Sequence, residues 1–161
     1  MNEADYNLIL ELGDDIIGSE RFQKAKSVPH HSKNGNIALH SLETTGFAIH
    51  LARQLKERGK VVNMRDVVRA SLLHDIGMTV DAVFLSPPPV KGKSHPKVGA
   101  CIAKEEFGAN ANQVDAILRH MWPVCTIVPP HTIEGVILTC ADKMCSIAEV
   151  QRRFPILKDK A

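Results

Sequence analysis

Apolar residues recur at steps of three and four along nearly the whole chain, and β-branched residues never gather into an alternating run, so the pattern predicts an all-α domain. From Asn36 to about Arg58, Ile37, His40, Thr44, Phe47, Leu51 and Leu55 share one stripe, which puts His40 on the inward side; Gly59 ends that helix. The next helix, about Met64 to Ile76, turns Met64, Val67, Val68, Ser71 and Leu72 to the core and delivers His74 and Asp75 at its C-terminal end, with Gly77 as the stop. The triple proline Pro87-Pro88-Pro89 makes 78–93 a long loop. Ser94-His95-Pro96 reads as a helix start, continued inward by Val98, Ile102 and Phe107 up to Gly108. A helix from about Asn110 to Met121 carries Val114, Ile117, Leu118 and Met121 on its apolar side and His120 in its last turn. After Pro123, Pro129 and Pro130, a long helix runs from about Thr132 to Arg153. The first 30 residues suggest one or two short helices.

A chain of 161 residues with 44% apolar content can bury one good core, so a single domain is expected: a helical extension over 1–30 and a main body over 36–150. Twenty basic and 18 acidic side chains give a formal charge of +2, which carries no electrostatic footprint for a nucleic-acid polymer. A small anionic ligand needs only a few local charges and stays open. No apolar run reaches membrane-spanning length and the first residues are acidic, so the expectation is a cytoplasmic protein without membrane association; self-association is left open. Cys101, Cys125, Cys140 and Cys145 form no C-x-x-C pair and read as reduced core residues.

Chemistry enters where polar residues occupy positions the pattern reserves for apolar ones. A histidine and a carboxylate side by side, His74-Asp75, at the end of a buried helix need compensation, and a divalent metal supplies it. Asp142 interrupts the apolar run of the last helix, and Lys143 beside it on the helix does not face it. In order, the candidate ligands are His40, His74, Asp75, His95, His120 and Asp142. A lone His40 or His95 would be a hydrogen-bonded core residue or a cap; their joint occurrence with the dyad and Asp142 favours a metal site. The set suits manganese, iron, cobalt, nickel or zinc. Six ligands exceed one tetrahedral site. Two divalent transition metal ions sharing Asp75 use all six, with His40, His74 and Asp142 on one and His95 and His120 on the other. Such a pair can acidify water and clamp both oxygens of a phosphoryl transfer, which makes Asp75 the catalytic candidate.

His40, His74-Asp75 and Asp142 in this order resemble the H…HD…D signature of the HD superfamily of metal-dependent phosphohydrolases, and Leu72-Leu73-His74-Asp75-Ile76-Gly77 resembles its most recognisable segment. The resemblance covers about 36 to 150, and it is closest to small uncharacterised bacterial HD-domain proteins from His95 through Asp142-Lys143. It implies a helical HD bundle and, through His95 and His120, the further histidines of binuclear members. Met78 stands where many members carry a lysine after the HD-x-G turn. The absence of a G-Y-P element argues against cyclic dinucleotides, and Met121-Trp122-Pro123 differs from the matching segment of dinucleoside polyphosphate hydrolases. The expected activity is hydrolysis of a small, nucleotide-like phosphate mono- or diester. The superfamily also contains di-iron oxygenases, and a third reading is a regulatory module that binds metal and nucleotide without turnover. Candidate substrate contacts are His31, Lys91, Lys93, Arg119, Trp122 and Lys143. His30, next to His31, either reaches the pocket or sits on the surface; His50 lies off the inward stripe, and His131 reads as a helix start.

Overall fold

The computed structural model describes residues 2–30, 35–81 and 93–153, and among them the regular structure is helical, joined by turns and loops, with one isolated antiparallel bridge between Pro29 and Asn36. The helices are α1 (Glu3–Ile17), α2 (Glu20–Ala25), α3 (Ile37–Glu57), α4 (Met64–Leu73), α5 (His95–Phe107), α6 (Ala111–Arg119) and α7 (Ile133–Arg153). None is long and apolar enough to cross a membrane. Much of the triple-proline loop, with His31 and Lys91, lies outside the described residues.

Helix starts are set by side chains that accept orphan backbone N–H groups. Asn2, Ser19, Asn36, Asn63 and Asn110 cap α1, α2, α3, α4 and α6 in this way. Gly59 (φ 78°) and Gly108 (φ 59°) follow α3 and α5 in the left-handed region, as expected of glycines that end helices.

The short α4 is the axis of the domain. It touches α1, α3, α6 and α7, and every residue from Asp66 to Leu73 is buried. Burying its Val67, Val68, Leu72 and Leu73 contributes about 1.5–3 kcal/mol each. A helix enclosed on all sides must also satisfy its polar residues. Asp66 Oδ1 accepts from Asn110 Nδ2 and Gln113 Nε2, each at 2.7 Å, which ties α4 to the start of α6. Arg69 donates to both carboxylate oxygens of Asp15 (2.6 and 2.8 Å) and to the carbonyls of Leu12 and Phe107, joining α1 to the end of α5. Arg69→Ala is expected to lower stability by about 2–3 kcal/mol in a urea titration. The hydrogen bond from Arg69 holds the Asp15 carboxyl below its ordinary value. That contribution is therefore complete above about pH 4 and is lost as pH falls through the lowered folded-state value, so Arg69→Ala should flatten this acid limb of the stability profile.

Four sequence expectations need correction. The α4 helix ends at Leu73 rather than Ile76, and Ile76–Thr79 forms a 3₁₀ turn. Gly77 does not stop the helix through a left-handed backbone; it is small because a Cβ there would meet the carbonyl oxygen of His95 and lie 2.7 Å from Gly99 N. On α6 the buried residues are Gln113, Ala116 and Ile117, while Leu118 is exposed, because the helix turns Gln113, in its first turn, toward Asp66. Among the cysteines only Cys145 is buried. Cys101 and Cys140 are exposed on the outer faces of α5 and α7, and all four are free thiols.

Candidate metal centre

Five pieces of the fold meet at one point. His40 lies in the first turns of α3; His74 caps the end of α4; Asp75 follows with φ −102° and ψ 6°, the sparsely allowed bridge region; His95 opens α5; His120 caps α6; and Asp142 sits within α7. All six are buried. The close approach of Gly77 to His95 and Gly99 seats the first turn of α5 directly on the turn that follows Asp75.

The rings are held so that their Nε2 atoms converge. His74 Nδ1 donates to Ser71 O (2.8 Å) and His120 Nδ1 to Ile117 O (2.7 Å); a carbonyl can only accept, so each Nδ1 carries the proton and Nε2 is left to face inward. His40 Nε2 is 3.1 Å from Asp142 Oδ1, and its Nδ1 is 3.6 Å from Cys145 Sγ, which in turn donates toward Glu43 Oε2 at 3.7 Å.

Asp75 divides the cluster in two. Its Oδ2 faces His74 Nε2 (3.3 Å) and His40 Nε2 (3.8 Å), while its Oδ1 faces His95 Nε2 (3.1 Å) and His120 Nε2 (3.5 Å). His95 and His120 bring their Nε2 atoms within 3.1 Å of each other, and Asp142 Oδ1 lies 3.6 Å from His74 Nε2. One participant stood outside the six candidate ligands, its place in the pocket or on the surface left open by the sequence: His30 is buried, its Nε2 is 3.3 Å from Asp75 Oδ2, and its ring stacks on His40 with centroids 3.9 Å apart. Periodicity gave no signal for it, because it precedes α3 in an irregular segment.

The electrostatics of the cluster favour positive charge beside its two carboxylates. Burial disfavours the His74 imidazolium, yet the Asp75 charge and the nearby Asp142 override it and lift the His74 pKa to about 10. Burial likewise raises both carboxyl groups, but the charge on His74 and contacts from the surrounding imidazoles hold Asp75 well below the carboxylate range; the contacts of His40 and His74 do the same for Asp142. Burial keeps His120 below its usual value. Meanwhile His74 Nε2, fully buried, makes no hydrogen bond. Two ionised carboxylates enclosed by imidazoles, one with an orphaned nitrogen, fit divalent metal, and His30-His40-Asp75, His40-His74-Asp142 and His74-Asp75-His120 each bring three ligand atoms within reach of one ion.

A cavity of about 530 Å³ opens onto this floor, lined by His30, Asp75, His95 and Asp142, by Lys93 and Lys143, and by the apolar Met78, Met121, Val124 and Ile147. Lys143 Nζ donates to His120 O (3.3 Å). Two other candidate contacts point elsewhere. Arg119 Nε donates to Asp115 Oδ1 (2.6 Å), and Trp122, partly exposed, is not among the described residues of the cavity wall. His50 is exposed, as expected, and His131 lies before α7 with its N–H donated to Asp115 Oδ2.

An all-helical domain with a buried histidine and aspartate centre able to hold metal is the class these features define. Comparison with known families matches residues 37–148 to the HD domain, and the chain belongs to that family. It is 34% identical over 118 residues to Ribonuclease Y of Chloroflexus aurantiacus, an alignment covering 73% of this chain and 20% of that protein. Ribonuclease Y of Geotalea uraniireducens is 29% identical over 154 residues, covering 95% and 26% respectively. The chain thus spans about a fifth to a quarter of the length of these relatives. No solved structure matches it.

Proposed function

We propose that this chain is a metal-dependent phosphohydrolase acting on a small, nucleotide-like phosphate ester. The observation that carries the reading is the division of Asp75, one carboxylate oxygen toward His40 and His74 and the other toward His95 and His120, at the floor of a cavity that also presents two lysines. His40, His74, Asp142 and Asp75 would hold one divalent ion, and His95, His120 and Asp75 a second. Bound ions would acidify a water and neutralise charge on phosphate oxygens.

The chain's own groups do the remaining work. Lys93 and Lys143 supply the positive charge that Met78 lacks and draw a phosphate toward the floor. The apolar side of the cavity limits water and offers a surface for a base or another flat group, and the volume suits a ligand of nucleotide size. Lys143→Ala is expected to raise KM about tenfold while leaving bound metal per chain unchanged, measured by steady-state kinetics beside elemental analysis.

The names of the relatives favour a second reading, a phosphodiester within RNA. The near-neutral charge balance gives that reading no electrostatic support in this chain. One panel separates the two: nucleoside mono-, di- and triphosphates, bis(p-nitrophenyl) phosphate, and a short oligoribonucleotide, each with manganese, zinc, iron or cobalt. Turnover of mononucleotides or the synthetic diester with none on the oligoribonucleotide supports the small-substrate reading. Efficient cleavage of the oligoribonucleotide alone overturns it.

A further inference from the structure

We propose that His30 is a ligand of the centre and completes the shell of the ion on the His40, His74 and Asp142 side, which leaves the ion beside His95 and His120 as the open one that receives substrate. The assignment rests on reading the cluster as a metal centre. Its first support is convergence. Three imidazole nitrogens, from His30, His74 and His40, face the single oxygen Asp75 Oδ2 at 3.3, 3.3 and 3.8 Å, and this oxygen is buried with them. His40 Nε2 also meets Asp142 Oδ1 at 3.1 Å, so both carboxylates and the three imidazoles present ligand atoms to one enclosed position, and those of His30, His40 and Asp75 lie within reach of a single ion.

Its second support is that the backbone holds His30 in place. His30 N donates to Gly35 O (3.1 Å), Ile37 N donates to Val28 O (3.1 Å), and Pro29 pairs with Asn36, the residue that caps α3. The segment is therefore clamped onto the first turn of the helix that carries His40, and the two rings stack at an interplanar angle of 29°. A solvated surface histidine has no need of such fixing. The result is an asymmetric pair: His30, His40, His74, Asp142 and Asp75 Oδ2 around one position, and only His95, His120 and Asp75 Oδ1 around the other. Few protein ligands with room to spare is the mark of a catalytic position, and a filled shell the mark of a structural one.

The test uses the full chain, stripped by chelator and titrated with Co(II) in competition with a chromogenic chelator, for the wild type, His30→Ala, His30→Gln and His95→Ala. Glutamine keeps a hydrogen-bond donor near Asp75 but replaces the imidazole, so it separates ligation from a hydrogen bond that merely orients the carboxylate. The wild type is expected to take up two ions. Both His30 variants should weaken the tighter one by about 100-fold or more, beyond what loss of a group that only orients a ligand costs, and alter its visible absorption. His95→Ala should weaken the other ion and leave that absorption in place. Both His30 variants binding two ions with wild-type affinity and spectrum, or His30→Gln alone restoring them, overturns the assignment while leaving the metal centre standing. A wild-type chain that takes up no cobalt overturns both.

Discussion

Asp75→Asn is expected to release both ions from the centre and to lower phosphoesterase turnover by about 10³-fold or more, a larger loss than any single histidine substitution causes. The reason is positional. His40 and His74 lie on one side of the carboxylate and His95 and His120 on the other, and only Asp75 offers an oxygen to each group. Asparagine preserves volume but presents one neutral oxygen and an amide NH₂, so one side receives a donor where it needs a ligand, and the charge that balances two cations is halved. Elemental analysis of purified variants checks this: near zero ions per chain for Asp75→Asn, and about one for His95→Ala. The fold should survive, because Asp75 touches the centre rather than the apolar core, and circular dichroism should show wild-type helicity.

Gly77→Ala is expected to be among the most damaging glycine-to-alanine changes at the described residues. A Cβ at 77 would be driven into the carbonyl oxygen of His95 and would lie 2.7 Å from the backbone nitrogen of Gly99. Both obstacles are backbone atoms, so no rotamer change relieves the overlap. The 3₁₀ turn or the start of α5 must move, at a cost of about 3 kcal/mol or more. The movement separates His95 from Asp75, so metal uptake on the His95 and His120 side should fall along with stability. Gly108→Ala makes a useful contrast: its φ of 59° strains an alanine, but nothing crowds the added carbon, and the expected loss is about 1 kcal/mol. Thermal melts of both variants, paired with metal analysis, distinguish crowding from backbone strain.

The helices were legible because their faces repeat. A stripe such as Ile37, His40 and Thr44 fixes which side of α3 turns inward, and a polar residue on that stripe announces itself. The ends of helices were legible where glycine or proline marks them. Three things were not. His30 has no periodic context, and its position depends on the bridge between Pro29 and Asn36, a pairing that no local pattern encodes. Gly77 carried the right identity for the wrong reason, since close approach of α5 is a tertiary fact. The buried Asp66 and Arg69 look, in sequence, like the solvated side of an amphipathic α4; they are interior because α1 and α6 supply Asp15, Asn110 and Gln113 to meet them. Exposed Cys101 and Cys140 show the converse, that an apolar run does not determine which of its members face out.

For the site, the order His40, His74-Asp75, Asp142 selects a family, and with His95 and His120 it describes most of what converges. Substrate contacts read less well, because a lysine or an arginine beside a ligand in sequence can point either way. Lys143 lines the cavity, while Arg119 pairs with Asp115. The share of the relatives' length that this chain spans also bears on substrate, because binding surfaces for a polymer can reside outside the matched region.

The most direct test of a hydrolase built on a shared Asp75 is to restore metal stepwise to the chelator-stripped protein while following hydrolysis of bis(p-nitrophenyl) phosphate and of a nucleoside phosphate. Activity that stays low through the first ion and rises with the second, reaching its plateau at two per chain, is the predicted result. Two bound ions per chain without hydrolysis of any phosphate ester, or full activity in the stripped protein, would contradict it.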